Sequence, residues 1–264
     1  MKALNKKEIF YTDEINDDFA ENITKEFKIS DNFKYVHKNK FYNLCSNFLY
    51  FIIAKPIFYL WLKLKYHVHV YGKEKLKKLK GTGYFIYSNH TQNIVDAYTH
   101  QCLVFPQKGH IIADDSLYSL KGVKTIVSML GAIPLPNNMI QSKNMADAIS
   151  YYVKKGHVIV IFPEAHVWPY FNDVRNFLDT SFLFPVINDK PVVVTTTVYR
   201  ERKIFKNRHP YFSIYISDPL YIRKDLSLKE NQKYLRDQAY KLMKENVKKY
   251  NSYEYIKYTK KEEM

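Results

Sequence analysis

Tyr84-Phe85-Ile86-Tyr87-Ser88-Asn89-His90-Thr91-Gln92-Asn93-Ile94-Val95-Asp96 decides how this chain is read. An apolar run of aromatic and β-branched residues stops abruptly at Ser88-Asn89-His90. Ser and Asn are good helix N-caps, so the stretch predicts a strand that feeds a helix start. His90 then stands at a strand end with its ring free to face a cleft. Asp96 is the first carboxylate after it, within reach of one imidazole nitrogen while the other faces a substrate. A carboxylate placed this way fixes the tautomer of a histidine general base. On a regular helix six positions advance ~600°, which would set the two side chains apart, so the pair requires a loop or an irregular turn between them.

A second stretch repeats the layout. Val158-Ile159-Val160-Ile161-Phe162 is fully apolar, as suits a buried strand, and Pro163 ends it. Glu164 and His166 are thereby delivered to its C-terminal edge, which is where open α/β sheets bind ligands. Between and after these stretches, strands alternate with helices. His67–Tyr71, His110–Ala113, Pro191–Tyr199 and Phe212–Ile216 read as further strands. Ala97–Val104, Lys121–Leu130, Lys143–Lys155 and Ser227–Tyr250 read as helices. The fold class expected is α/β, a mixed and mostly buried sheet flanked by helices.

Residues 41–64 stand apart, an apolar run of spanning length interrupted by Asn43, Asn47 and Lys55-Pro56. The proline predicts a break, giving two short helices that lie in one leaflet. Lysines flank both ends, at Lys34, Lys38 and Lys40 and at Lys63 and Lys65, which suits an anionic cytoplasmic surface. A helix buried on the core is the alternative for this run. The organisation expected is a polar tail (1–35), a membrane-associated helical element (36–66), a catalytic domain (67–250) and a frayed end (251–264). No signal peptide is expected, because the first apolar run begins only near Phe41.

The 264 residues carry 41 Lys and Arg against 26 Asp and Glu, a formal net charge of +15 that implies an anionic partner. Twenty-four Tyr and 17 Phe favour bilayer interfaces, although a basic groove with aromatic platforms would also suit single-stranded nucleic acid. Cys45 and Cys102 lie in apolar contexts without metal-ligand spacing and read as reduced and structural, in keeping with a cytosolic compartment. His67 and His69 share a strand face but lack a third ligand nearby, and Asp114-Asp115-Ser116 reads as a helix cap. There is no Gly-rich phosphate loop and no Gly-x-Ser-x-Gly nucleophile elbow.

Four blocks now stand in order: Asn89-His90 with Asp96, Gly131-Ala132-Ile133-Pro134-Leu135-Pro136, Phe162-Pro163-Glu164-Ala165-His166, and Pro191-Val192-Val193-Val194. Their order and spacing over roughly residues 80 to 200 resemble the glycerophospholipid acyltransferase superfamily, the 1-acyl-glycerol-3-phosphate acyltransferases in particular. That family carries Asn-His-x4-Asp, Gly-x-Ile-Phe-x-x-Arg, Phe-Pro-Glu-Gly-x-Arg and a Pro-Val-x-Pro-type strand. Here Asp96 lies one position further from His90 than the pattern puts it. Pro136 and Val167 stand where the second and third blocks have Arg.

The resemblance implies direct transfer of a fatty acyl group from acyl-CoA or acyl-ACP, as co-substrate, to a lysophospholipid hydroxyl, with no other cofactor and no metal. His90 would act as base and Asp96 as its orienting carboxylate. Glu164, with His166, Asn89, Lys121, Lys124 and Arg175, would hold the acceptor; Lys143 and Arg200 are further cations able to replace the missing arginines. Anionic membrane lipids rather than nucleic acid become the expected partner, at the cytoplasmic face of the membrane. The residues alone leave open an acyltransferase on another lipid acceptor, a lipid thioesterase, and a non-catalytic basic protein bound to membrane or nucleic acid. Salt-dependent retention on nucleic acid without acyl transfer would mark the last.

Overall fold

A computed structural model of the chain describes residues 8–20, 28–119, 122–204, 208–250 and 253–261. In chain order the elements are β1 (Glu8–Tyr11), α1 (Lys40–Tyr66), β2 (His69–Tyr71), β3 (Tyr84–Ser88), α2 (Asn93–Leu103), β4 (Gly109–Ala113), α3 (Lys124–Met129), β5 (Ala132–Pro134), α4 (Met139–Lys154), β6 (Val158–Ile161), α5 (Leu183–Asn188), β7 (Val192–Arg200), β8 (Tyr211–Ile216), α6 (Leu228–Tyr250) and β9 (Lys257–Lys260). Seven strands form one mixed sheet in the order β2-β8-β7-β3-β6-β4-β5. β3 through β7 are mutually parallel, and β8 is antiparallel to β7.

The alternation of side chains along the strands explains why this sheet is covered on both faces. Phe85, Tyr87, Ile159, Ile161, Val192 and Val194 point one way and pack on Ile149 of α4 and on Leu235, Ala239 and Met243 of α6. Tyr84, Ile86, Val158, Val160 and Val193 point the other way, onto Leu76, Leu79, Leu103 and Val104. Continuous apolar strands are what a sheet buried on both faces requires. Gly131 enters β5 at φ +94°, and a Cβ there would lie 2.4 Å from the Gly109 carbonyl oxygen of β4. Only glycine allows that approach.

Residues 40–66 form one continuous helix of 27 residues rather than two short ones. The expected break at Lys55-Pro56 is absorbed by a π-type segment over Phe48–Ala54, in which the Lys55 N–H reaches back five positions to the Tyr50 carbonyl. Widening the turn just before the proline relieves the clash of its ring with the preceding turn. The helix is long and apolar enough to cross a membrane by length and composition. One face is nevertheless fastened to the domain: Ser46 Oγ donates to the Met129 carbonyl at 2.8 Å, Tyr50 Oη accepts from the Gly109 N–H at 2.9 Å, and Phe58 stacks on Tyr98 of α2. The other face exposes Phe41, Leu44, Phe48, Ile52, Ile57, Leu60 and Leu64.

The two chain ends also differ from expectation. Residues 1–7, 21–27, 251–252 and 262–264 lie outside the described residues. Within the rest, Glu8–Tyr11 and Lys257–Lys260 pair as a parallel two-stranded sheet instead of forming a tail and a frayed end. The polar composition misleads because the pairing is fixed by aromatics: Trp168 is enclosed by Tyr11, Phe19 and Tyr258, the last stacked on it at 4.9 Å.

Candidate active site

His90 and Asp96 meet at the C-terminal edge of β3, the central strand. The chain leaves the sheet at Asn89, and residues 89–92 run as an extended loop before α2 begins at Asn93. That loop supplies the irregular turn the pair requires. The helix start is not capped by Ser88 or Asn89, as their composition suggested. Gln92 occupies the cap position without a side-chain bond, and Asp96 reaches back from the first turn to close the end. Its Oδ2 accepts from the backbone N–H of Thr91 at 3.0 Å and of Gln92 at 2.8 Å, in the manner of a capping box shifted by one residue.

The same oxygen accepts from His90 Nδ1 at 3.1 Å. A carboxylate only accepts, so Nδ1 carries the proton and Nε2 is left with its lone pair. Asp96 is buried, whereas the His90 side chain keeps 16% of its surface. The imidazole lies flat on Phe162 with ring centroids 4.3 Å apart. Beneath them His100, wholly buried, bonds the Asp96 carbonyl through Nδ1 at 2.7 Å and Thr195 Oγ1 through Nε2 at 2.8 Å. Burial lowers its pKa, so His100 is a neutral strut that ties α2 to β7.

Asn89 turns to β7. Its amide donates to the Thr197 carbonyl at 3.0 Å and accepts from the Thr197 N–H at 2.8 Å. The side chain thus continues the β3–β7 ladder after the backbone has turned away, and it is wholly buried. Tyr199 Oη donates to Thr91 Oγ1 at 2.6 Å, fixing the loop from the same strand.

Glu164 follows β6 and is buried with Arg175, whose Nε donates to its Oε2 at 3.2 Å. Burial pushes the Glu164 pKa up to about 7, against the Arg175 guanidinium and the His90 backbone N–H, which favour the charge. Its Oε1 meets no partner of full hydrogen-bond geometry among the described residues. Arg175 is 1% exposed and also donates to the carbonyls of Glu164, His166 and Glu14 while lying over the Trp168 ring. Those bonds engage the guanidinium inside the protein, beneath the loop rather than in the cleft.

His166 is half-exposed on that loop, 3.7 Å from Asp18. Val167, in the third-block Arg position, is buried, and the N-terminal arm covers it through Phe19 N–H to its carbonyl and its own N–H to Asp18. Ala165 takes the family's Gly position at φ +63°. A left-handed alanine costs about 1 kcal/mol or more, so Ala165→Gly should raise stability by about 0.5–1 kcal/mol in chemical denaturation. Lys124 opens α3, Lys143 is exposed on α4, and Arg200 lies over the Tyr71 ring at the far side of the sheet. Lys121 lies outside the described residues. Among the described residues no group of three or more His, Cys, Asp or Glu could hold a metal.

Residues 67–197 match the family described as Acyltransferase. The chain carries a domain of the Acyltransferase family. Its fold is similar to that of the 1-acyl-sn-glycerophosphate acyltransferase PlsC from Thermotoga maritima, with a TM-score of 0.53 and 20% identity over 83% of this chain and 87% of that one. No curated protein matches the chain. At the sheet's C-terminal edge His90 and Asp96 are in hydrogen-bond contact, a geometry that suits proton transfer. His100, Phe162 and Tyr199 were not singled out from the sequence. His100 alone carried a signal, four positions after Asp96 on the same helix face.

Proposed function

We propose that the chain moves a fatty acyl group from a thioester, acyl-CoA or acyl-ACP, to the hydroxyl of a lysophospholipid-type acceptor held at a membrane surface. The observation that carries this reading is the His90–Asp96 pair, bonded through Nδ1 while the imidazole stays partly exposed. The acceptor hydroxyl gives its proton to Nε2 as its oxygen attacks the thioester carbonyl, and the proton then leaves with the thiolate. Asp96 holds the imidazolium that forms, and its two backbone N–H donors keep it from swinging away. Phe162 sets the plane of the ring. Glu164 and Arg175 support the loop beside the base and do not touch the acceptor.

The helix α1 lies in one leaflet with its exposed face in the lipid. A span would carry Lys108 and the sheet edge fastened to its other face into hydrocarbon, where a lysine costs several kcal/mol. Phe58 of α1 stacks on α2, the helix that follows His90, so the base sits close to the surface from which a lyso-lipid arrives. Changing Leu44, Phe48 and Ile52 to Asp should abolish flotation with anionic liposomes while the catalytic core stays folded. Flotation equal to the parent would move the anchor elsewhere.

Acceptor choice is where the chain departs most from its relatives. Pro136 and Val167 remove two guanidinium groups, each able to hold a phosphate with charge-assisted bonds worth ~1.5–3 kcal/mol. The arm that covers Val167 brings Asp17 and Asp18, which repel a phosphate. A lysophospholipid diester or a glycolipid hydroxyl therefore competes well with lysophosphatidic acid. The test presents one acyl donor with lysophosphatidic acid and a panel of other lyso-lipids and follows the products by mass spectrometry. A kcat/KM preference for lysophosphatidic acid above ~100-fold would overturn the acceptor reading, since it demands ~2.7 kcal/mol of specific contacts. Transfer to none of the lipids would overturn the function itself.

A further inference from the structure

A cavity of about 290 Å3 lies at the opposite end of the sheet from His90. The registers place it: Tyr84 and Gly109 both pair with Val158, so Lys108, His110 and His157 stand at the N-terminal ends of β4 and β6. Its outer wall is the start of α1, on the side facing away from the exposed Phe41, Leu44 and Phe48. Lys34, Lys108 and Lys155 line it with His37, His110 and His157, and none of the described residues lining it is acidic.

Two features mark this as a built site. Lys108 is 8% exposed with no carboxylate partner; its ammonium donates to Ser46 Oγ at 2.6 Å, and burial pushes its pKa down to about 8. An amine in that state gains most from an arriving anion. The hydroxyls of Tyr35 and Tyr42 are buried and have no hydrogen-bond partner among the described residues, and Tyr35 is 7% exposed. Folded proteins leave few such groups unmet, and both residues line the cavity. The neighbouring phenols are satisfied, Tyr118 by the Ala132 carbonyl and Tyr152 by the Tyr35 carbonyl, so the two unmet donors are particular to this space.

A cavity walled by cations, with two unmet O–H groups buried behind its wall and no acceptor carboxylate, calls for a ligand rich in acceptor oxygens. We propose that this cavity binds a phosphate group, carried by a lipid headgroup or free in solution, at a site separate from the acyl-transfer centre. The position beside the membrane helix suits a headgroup, and the volume also admits inorganic phosphate. This inference does not depend on which acceptor the enzyme uses.

The decisive variant is Tyr35→Phe/Tyr42→Phe, which keeps every charge and removes only hydroxyls that the protein does not use. It should fold with an unchanged or higher melting temperature. One arm titrates inorganic phosphate into the full chain in neutral detergent, by calorimetry. The other compares flotation with phosphatidylcholine vesicles that contain or lack phosphatidic acid. The expected result is binding by the parent in at least one arm, weakened about tenfold in the double variant and abolished by Lys108→Met. Binding in the first arm identifies free phosphate as sufficient, and binding in the second alone identifies the headgroup. No binding by the parent in either arm would mean that water fills the cavity, and equal binding by parent and double variant would place the anion elsewhere; either overturns the proposal.

Discussion

Replacing His90 with alanine should lower acyl transfer by ~10²–10⁴-fold while leaving the fold and membrane binding intact. The structural cost is small because the ring's contacts are few: one bond to Asp96 and a stack on Phe162. Asp96 is not orphaned by the change, since the N–H groups of Thr91 and Gln92 still satisfy it. The chemical cost is the whole base, because no other imidazole can replace it. His100 lies under the site with both nitrogens bonded, and His166 is turned to Asp18. Thiol release from an acyl thioester, measured beside circular dichroism and liposome flotation, tests the separation. A variant within a few-fold of the parent would remove His90 from the mechanism.

Arg175→Met should destabilise the fold by about 3–5 kcal/mol, the largest thermodynamic effect of any single change proposed. The guanidinium does more than balance Glu164, since it also bonds the carbonyls of Glu14, Glu164 and His166, and all of these would lose a donor within the buried loop. Glu164 would escape part of the penalty by taking up a proton. Its folded pKa, already raised by burial to about 7, stands above the unfolded value of 4.5. A raised acid binds more protons folded than unfolded, so its contribution is full below about 4.5 and is lost as pH rises through about 7. Glu164→Gln should therefore flatten the fall in stability across that window relative to the parent. Urea melts of both chains between those pH values read the difference. Parallel pH profiles would show that Glu164 is ionised throughout.

Much of the central sheet was legible because a strand buried on both faces writes itself as an unbroken apolar run, as in Val158–Ile161 and Val192–Val194. The edge strand β5 was not read as one. Its three residues are too short for periodicity and sit inside a motif that drew attention for other reasons. The His90–Asp96 pair was visible as residue types, and the loop that joins them followed from the geometry of a helix. Asn89 and Arg175 were misjudged for one common reason. A polar side chain near a site reads as a ligand contact in sequence, whereas Asn89 is bonded to the distant backbone of Thr197, and Arg175 to the buried Glu164 carboxylate and to the carbonyls of Glu164, His166 and Glu14. Pro56 misled in the opposite sense, because a π-type turn is a property of several consecutive carbonyls and leaves no residue signature.

The pairing of β1 with β9 acts in time as well as in space. Its partners are as far apart as Glu8 and Thr259, 251 positions, so the contact waits until all the chain between them has left the ribosome. Until then Trp168 and the segment after Glu164 lack the roof that Tyr258 provides through its stack and through its bond to the Pro169 carbonyl at 2.8 Å. That segment is clipped to the catalytic loop, Trp168 N–H to the His90 carbonyl and Tyr170 N–H to the Thr91 carbonyl. A nascent chain therefore carries His90 on an unbraced loop, and synthesis of β9 is the step that latches it.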